Sequence, residues 1–406
     1  MIRKIGIGQL IPGMYVVDLH KSWLDHGFWR TRFRVRDRTI IRRLMAAGIQ
    51  QVSIDTARGL DIEPDTEPTP TARINAVART LGRRAASARR APVTVSLGEE
   101  RRRATSLLAE TQALTQDMME RARHGGTVEA ARLEPVVTKM IASVRRNPDA
   151  LIPLARLKRA DYVGEHAVST AALITALAWR LEVPEPQVER LALGALVKDV
   201  GAVALDARLG EKHGNLSPDE LELVQGHVEE SLAALDAPAR LGETSVAVIL
   251  EHHERFDGLG YPYGLQGEDI SLAGRMAAIV DTYDAMTSDR PYRRALSPAA
   301  ALAGIFEQGG QQFDPELVAS FIHTVGLFPV GTLVRLESGH LAVVVAQHAD
   351  QPLEPMVRVI YHADWNKYVT PVEVDLSRRV GNHYGRVVQA EEFERWGINP
   401  APWQPT

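Results

Sequence analysis

The chain contains no cysteine. Disulfides, thiolate metal sites and a cysteine nucleophile are therefore excluded, which leaves histidine, aspartate and glutamate as possible metal ligands. Aromatic residues are sparse, at 6%. None interleaves with the arginines of residues 73–103, which argues against stacking on single-stranded nucleic acid. A net charge of -4 over 406 residues is too small for a chain that holds DNA or a membrane surface by bulk electrostatics. Long apolar runs are missing as well. The most apolar helical stretch, 167–179, is interrupted by Ser169, Thr170 and Thr175, and it is shorter than the roughly 20 residues of a membrane span. The opening MIRKIGIG lacks the apolar core of a signal peptide. These absences point to a cytoplasmic protein with no integral membrane segment.

What is present falls into several parts, as the length leads one to expect. Residues 1–64 read as a small mixed α/β domain. Ile5, Ile7, Val16 and Val17 sit in strand-like runs around Pro12-Gly13, residues 39–47 have helical periodicity ended by Gly48, and 51–55 read as a closing strand. The proline-rich stretch 63–70 marks a boundary. Residues 65–149 read as a linker and helical segment. Its arginine groups at 83–84, 89–90 and 101–103 suit a solvated face or, alternatively, a patch for an anionic partner. Helices are predicted over 99–123, stopped by Gly125-Gly126, and over 128–145. Residues 150–325 carry an almost continuous helical pattern. Beyond Gly326 the period changes to two, over 333–336, 342–346 and 357–361, with a hairpin at Ser338-Gly339. Residues 326–406 therefore read as a small β-rich appendage, barrel-like in its strand spacing.

Within 150–325 lie His166, Asp199, His227, His252, His253 and Asp281, with successive positions about 25 to 35 residues apart. That interval spans one antiparallel helix pair, so these side chains can return to the same end of a bundle. A lone histidine there would more often be structural. Adjacent histidines diverge by about 100 degrees on a helix, and serve two neighbouring metals, or one metal and a substrate oxygen. Imidazole with carboxylate suits Fe, Mn, Ni or Zn rather than Ca.

Residues 252–262, HHERFDGLGYP, resemble the signature loop of the HD-GYP family, HHE-x-x-DG-x-GYP. Residues 280–293, VDTYDAMTSDRPYR, and Phe313-Asp314-Pro315 resemble the segments that follow it in that family. The resemblance covers about 150–325. Gly13 to Val16 and Ile54 to Thr56 also resemble a small domain of unknown function often fused to HD-GYP domains. The implied fold is mainly α, a helical-bundle HD-GYP domain. The implied activity is metal-dependent hydrolysis of cyclic di-GMP. The resemblance assigns His166, Asp199, His227, His252, His253 and Asp281 to two metals bridged by Asp199. Gly258, Gly260, Tyr261 and Pro262 would shape a loop over the pocket, and Arg290 and Arg293 would meet the substrate's phosphates. For Arg293 a surface ion pair is an equal alternative. It also implies partners: cyclic di-GMP itself, and diguanylate cyclase (GGDEF) or other signalling proteins docking on the GYP loop.

The sequence departs from the family at the motif His-Asp-x-Gly-Lys, which here is Lys198-Asp199-Val200-Gly201-Ala202. An ammonium has no lone pair for a metal, and beside Asp199 its stable arrangement is an ion pair. Ala202 removes a cation expected to stabilise the reacting phosphate. Position 162, where some members place a glutamate for a third metal, is Tyr162. The expectation is a degenerate centre holding one divalent metal, Fe or Mn, rather than two. Asp199 and the atypical Lys198 are its candidate catalytic groups. The protein would bind cyclic di-GMP or partner proteins with little or no hydrolysis. The alternatives are an active phosphodiesterase yielding pGpG or GMP, and a structural scaffold.

Overall fold

The computed structural model describes residues 2–7, 10, 13–19, 32–35, 40–41, 44, 49, 51–56, 58–59, 94–155, 162–205, 217–289, 295–348, 351, 353–378 and 383–403. Its contacts divide the chain into two compact units, Met1–Thr69 and Pro70–Thr406.

In the first unit, β1 (Ile2–Gly6), β2 (Tyr15–Asp18), β3 (Phe33–Arg34) and β4 (Gln51–Asp55) form an antiparallel sheet in the order β1-β4-β2-β3. Ile5 pairs with Val52, and Val16 with Ile54. These side chains join Met14, Leu19, Ile41 and Leu44 in a core of their own.

The second unit is mainly helical. Its helices are α1 (Leu97–Arg123), α2 (Glu134–Arg146), α3 (Pro148–Ala155), α4 (Tyr162–Arg180), α5 (Glu185–Val197) and α6 (Pro218–Gln225). They continue with α7 (His227–Ala233), α8 (Gly242–Glu251), α9 (Leu272–Met286), α10 (Pro298–Glu307) and α11 (Pro315–Val325). The centre is α4, buried at every position from Gly164 to Ala178. A helix that is apolar on all sides is one that its neighbours surround. Its polar Thr170 and Thr175 return their hydroxyls to carbonyls one turn back, His166 and Ala171, so burial leaves them satisfied. Helix α5 crosses α8 so closely that a Cβ on Gly194 would lie 2.8 Å from the Val248 side chain.

Helices α1 to α3 share this core, through Leu107, Met118, Val137 and Leu151 among others. Helix α1 begins at Ser96, whose hydroxyl accepts from Glu99 N. Its Glu100 is buried against Arg146 (2.6 Å) and Ser143 (2.8 Å). Of the basic group at 101–103, Arg103 pairs with Glu99 and Arg101 donates to Val345 O. The arginines at 83–84 and 89–90 lie outside the described residues.

The C-terminal strands β5 (Leu333–Leu336), β6 (His340–Ala346), β7 (Met356–His362), β8 (Lys367–Asp375) and β9 (Val387–Glu391) form one antiparallel sheet, ordered β8-β7-β6-β5-β9. The spacing suggested a barrel, but among the described residues the sheet is open. Period-two alternation explains how it manages both faces. Val334, Ala342, Val344, Val357 and Val359 pack into the helical core. Leu333, Leu341, Val343 and Ile360 face the other way, where Phe393 and Ile398 cover them. Among the described residues no helix is long and apolar enough to cross a membrane.

Candidate metal and substrate site

Five segments converge at one end of the bundle. Lys198 and Asp199 sit where α5 ends and the 3-10 turn Val200–Ala204 begins. That turn packs against α7 with no space for a side chain at Gly201. A Cβ there would lie 2.5 Å from Ser231 N and 2.6 Å from His227 O. Gly201 N instead donates to Ser231 Oγ at 2.9 Å. The close approach carries Asp199 up to His227, the first residue of α7. His252 ends α8, His166 lies in the first half of α4, and Asp281 is on α9.

The histidine Nδ1 atoms define the chemistry on one side. His227 Nδ1 lies 2.6 Å from Val224 O and His252 Nδ1 lies 2.8 Å from Ile249 O. A carbonyl only accepts, so each Nδ1 carries a proton and donates it, which turns each Nε2 toward Asp199. Burial opposes a charge on His227, but Asp199 outweighs it and raises its pKa. Asp199 Oδ1 is 3.6 Å from His227 Nε2 and 3.4 Å from His252 Nε2. His252 Nε2 is buried and has no hydrogen-bond partner, which costs free energy unless something fills the role. His253 completes this side, with its ring 4.1 Å from that of His252. Burial, reinforced by His252, holds His253 well below the usual histidine range, and burial and Lys198 also lower His252. Both are therefore neutral donors at physiological pH.

The other side is arranged differently. Lys198 is 1% exposed. Its Nζ lies 2.5 Å from Asp281 Oδ1 and 3.1 Å from His166 Nε2, and it donates a short bond to Asp199 Oδ2. Burial opposes the charge on Lys198, but Asp199 and Asp281 outweigh it and raise its pKa. Burial likewise opposes charge on the two carboxylates, and Lys198 holds both well below the usual range. His166 Nδ1 is 2.6 Å from Asp284 Oδ2, and Ser169 Oγ donates to Asp284 Oδ1. Burial and Lys198 disfavour a charged His166, yet Asp281 and Asp284 prevail and raise its pKa.

The expected residues thus fall into two groups, His227–His252–His253 and His166–Asp199–Asp281. Within each, ligand atoms lie within 4.8 Å of one another. The donor chemistry and the orphaned His252 Nε2 fit a divalent cation on the first side. On the second, the Lys198 ammonium occupies the donors.

Residues 257–264 roof the site. Gly258 has φ +78, a conformation that favours glycine. A Cβ on Gly260 would lie 2.3 Å from Arg255 N and 2.5 Å from Glu254 Cα. Tyr261 stacks on His253, with centroids 4.7 Å apart and planes at 22°, and Pro262 follows it through a cis peptide. The loop is pinned from below. The Glu254 carboxylate accepts from Tyr263 N (2.7 Å) and Leu265 N (3.0 Å), and Asp257 accepts from Leu259 N (3.1 Å). Arg290 and Arg293 lie outside the described residues.

Comparison with known proteins identifies the family. A family model described as an HD domain matches residues 140–317. A domain of unknown function matches 2–133, and a KOW domain associated with HD domain matches 333–395. A cyclic di-GMP phosphodiesterase of Pseudomonas aeruginosa is 38% identical over 400 residues, covering 98% of this chain and 94% of its own length. The chain belongs to the HD-GYP family. A cyclic di-GMP phosphodiesterase response regulator of Xanthomonas campestris pv. campestris is 35% identical over 147 residues, 36% of this chain and 39% of its own. Among solved structures, an HDG"Y"P protein from Bdellovibrio bacteriovorus matches with a TM-score of 0.46 and 16% identity, covering 79% of this chain and 98% of that one.

Three residues of this HD-GYP centre were not singled out from the sequence. Asp284 and Ser169 orient His166, and Glu254 pins the GYP loop. Two of them had a signal: Asp284 lies one helical turn after Asp281, and Glu254 is the third residue of the HHE motif.

Proposed function

We propose that this HD-GYP protein acts in cyclic di-GMP signalling chiefly by binding the dinucleotide, with hydrolysis strongly reduced, and that its centre uses divalent Fe or Mn. The observation that carries this reading is Lys198, buried between Asp199 and Asp281 at the position where the family's naming motif has histidine. A divalent metal bound on the His227, His252 and His253 side would supply Lewis acidity toward a phosphoryl oxygen and a more acidic water. The chain's own residues bear on the rest. Asp199 and Asp281 are engaged by an ammonium, so their negative charge is partly neutralised before any metal or substrate arrives. Ala202 offers no cation to the developing phosphate charge, a type of loss that lowers rates by about 10²- to 10³-fold. Tyr261 and the glycines at 258 and 260 would form the roof under which a cyclic dinucleotide lies. Arg290 and Arg293 would meet its phosphates with planar guanidinium donors.

A second reading is an active phosphodiesterase releasing pGpG or GMP. It is favoured by the Nε2 atoms of His227 and His252 that face Asp199, and by the name of the 38% identical relative. Purified full-length protein, titrated with cyclic di-GMP and assayed with Mn²⁺ or Fe²⁺, separates the two. Saturable binding with turnover at or near background is the expected result. Turnover that Asp199→Ala abolishes would establish the second reading, and absence of binding would leave a scaffold.

A further inference from the structure

The two donor groups differ in one respect that distance and burial define. On the His166–Asp199–Asp281 side, the three atoms that would face a cation are the partners of Lys198 Nζ. They are Asp281 Oδ1 at 2.5 Å, His166 Nε2 at 3.1 Å and the bonded Asp199 Oδ2. An ammonium has three protons. His166 Nε2, which also lies 2.8 Å from Asp281 Oδ1, is the third polar atom around Nζ, so the two carboxylates hold the ammonium and His166 closes the position. Metal ions sit about 2.0–2.3 Å from such donors. That is the space the nitrogen already occupies, so a metal ion reaches these donors only if the Lys198 ammonium leaves them.

On the opposite side, no lysine or arginine among the described residues pairs with the ring nitrogens. Asp199 Oδ1 stands 3.4 Å and 3.6 Å from the two Nε2 atoms. Two atoms each about 2.1 Å from one ion at the tetrahedral angle are about 3.4 Å apart, so this spacing suits a single ion between them. His252 Nε2 is buried without a partner and belongs to this side.

We propose that the centre is a mixed one: the Lys198 ammonium is the permanent occupant of the His166–Asp199–Asp281 position, and one divalent cation binds between His227, His252, His253 and Asp199. Asp199 is then shared, with Oδ2 toward the ammonium and Oδ1 toward the metal. This inference rests on the reading that the centre takes a divalent cation. It adds which half does so, and what fills the other. Lys198 also has a structural role, because with or without metal it neutralises two buried carboxylates that would otherwise repel.

The test counts ions rather than turnover. Full-length protein is stripped with chelator, loaded with Mn²⁺, and analysed by plasma mass spectrometry and calorimetric titration. Wild type should hold one Mn²⁺ per chain, and Lys198→His should approach two. His252→Ala should fall toward none. Lys198→Ala vacates the position without supplying a ligand. Metal-free, it should melt lower than wild type by roughly 5–10 °C, and Mn²⁺ should restore most of the difference. Two ions in wild type, or one in Lys198→His with an unchanged melting temperature in Lys198→Ala, would overturn the proposal. No ion in wild type would overturn it as well. Cyclic di-GMP binding on the same samples then tells whether the dinucleotide reading survives independently.

Discussion

At the scale of single residues, the centre turns on one substitution whose effect reaches beyond metal chemistry. Lys198 is nearly inaccessible and is balanced by two carboxylates. Removing one member of a buried ion pair leaves uncompensated charge, at a cost of about 3–5 kcal/mol. The pH dependence follows from the direction of the shifts. Asp199 and Asp281 are held below the usual aspartate range. They therefore contribute stability that is complete above the unfolded value near 3.9 and is lost as pH falls through the folded one. In Lys198→Met the strongest lowering influence on both carboxyls is gone, and burial is opposed only by the neighbouring histidines. Metal-free wild type should exceed Lys198→Met by about 3 kcal/mol at pH 7 in denaturant unfolding, and the gap should narrow on going from pH 5 to pH 3. A gap independent of pH would show that the carboxylates do not carry the stabilisation.

At the scale of elements, the site depends on close approaches that only glycine allows. Gly201 brings the 3-10 turn onto α7 and thereby sets Asp199 beside His227. Gly260 folds the loop back over Glu254 and Arg255, with backbone atoms as neighbours, which cannot move aside as a side chain can. Gly260→Ala is therefore expected to displace the loop rather than unfold the protein. The amides of Tyr263 and Leu265, bonded to Glu254, should exchange with solvent at least about tenfold faster. Cyclic di-GMP binding should weaken while the melting temperature changes little. Unaltered exchange at both amides would show that the loop does not depend on that approach.

At the scale of the whole molecule, the boundaries relevant to stability are not those of the strand and helix patterns. Residues 1–69 have their own core. The C-terminal sheet, by contrast, contributes Val334, Leu336, Ala342 and Val344 to the core that α1 to α5 build. Deleting 1–69 should leave 70–406 folded, with its melting transition and dinucleotide binding preserved. Ending the chain at 326 would expose that apolar face, so the product should be insoluble or molten. A soluble, cooperatively melting 70–326 fragment would contradict the shared core.

The helical class, the β-rich end and the histidine–aspartate set were all legible in residue order, because periodicity and motif spacing are local properties that survive translation into structure. The signature at 252–262 and the departure at Lys198 and Ala202 were equally visible, since each is a matter of which residue stands at which place. What depended on the fold was how distant segments meet. Asp284 and Ser169 acquire their role only when α9 lies against α4, 115 residues apart in sequence. The division of the six donors into two groups, and the entry of the Lys198 ammonium into one of them, are consequences of side-chain distances across α4, α5, α7, α8 and α9. The open sheet with two covered faces was hidden for the same reason. Alternation tells which residues share a face, but only packing decides what covers it.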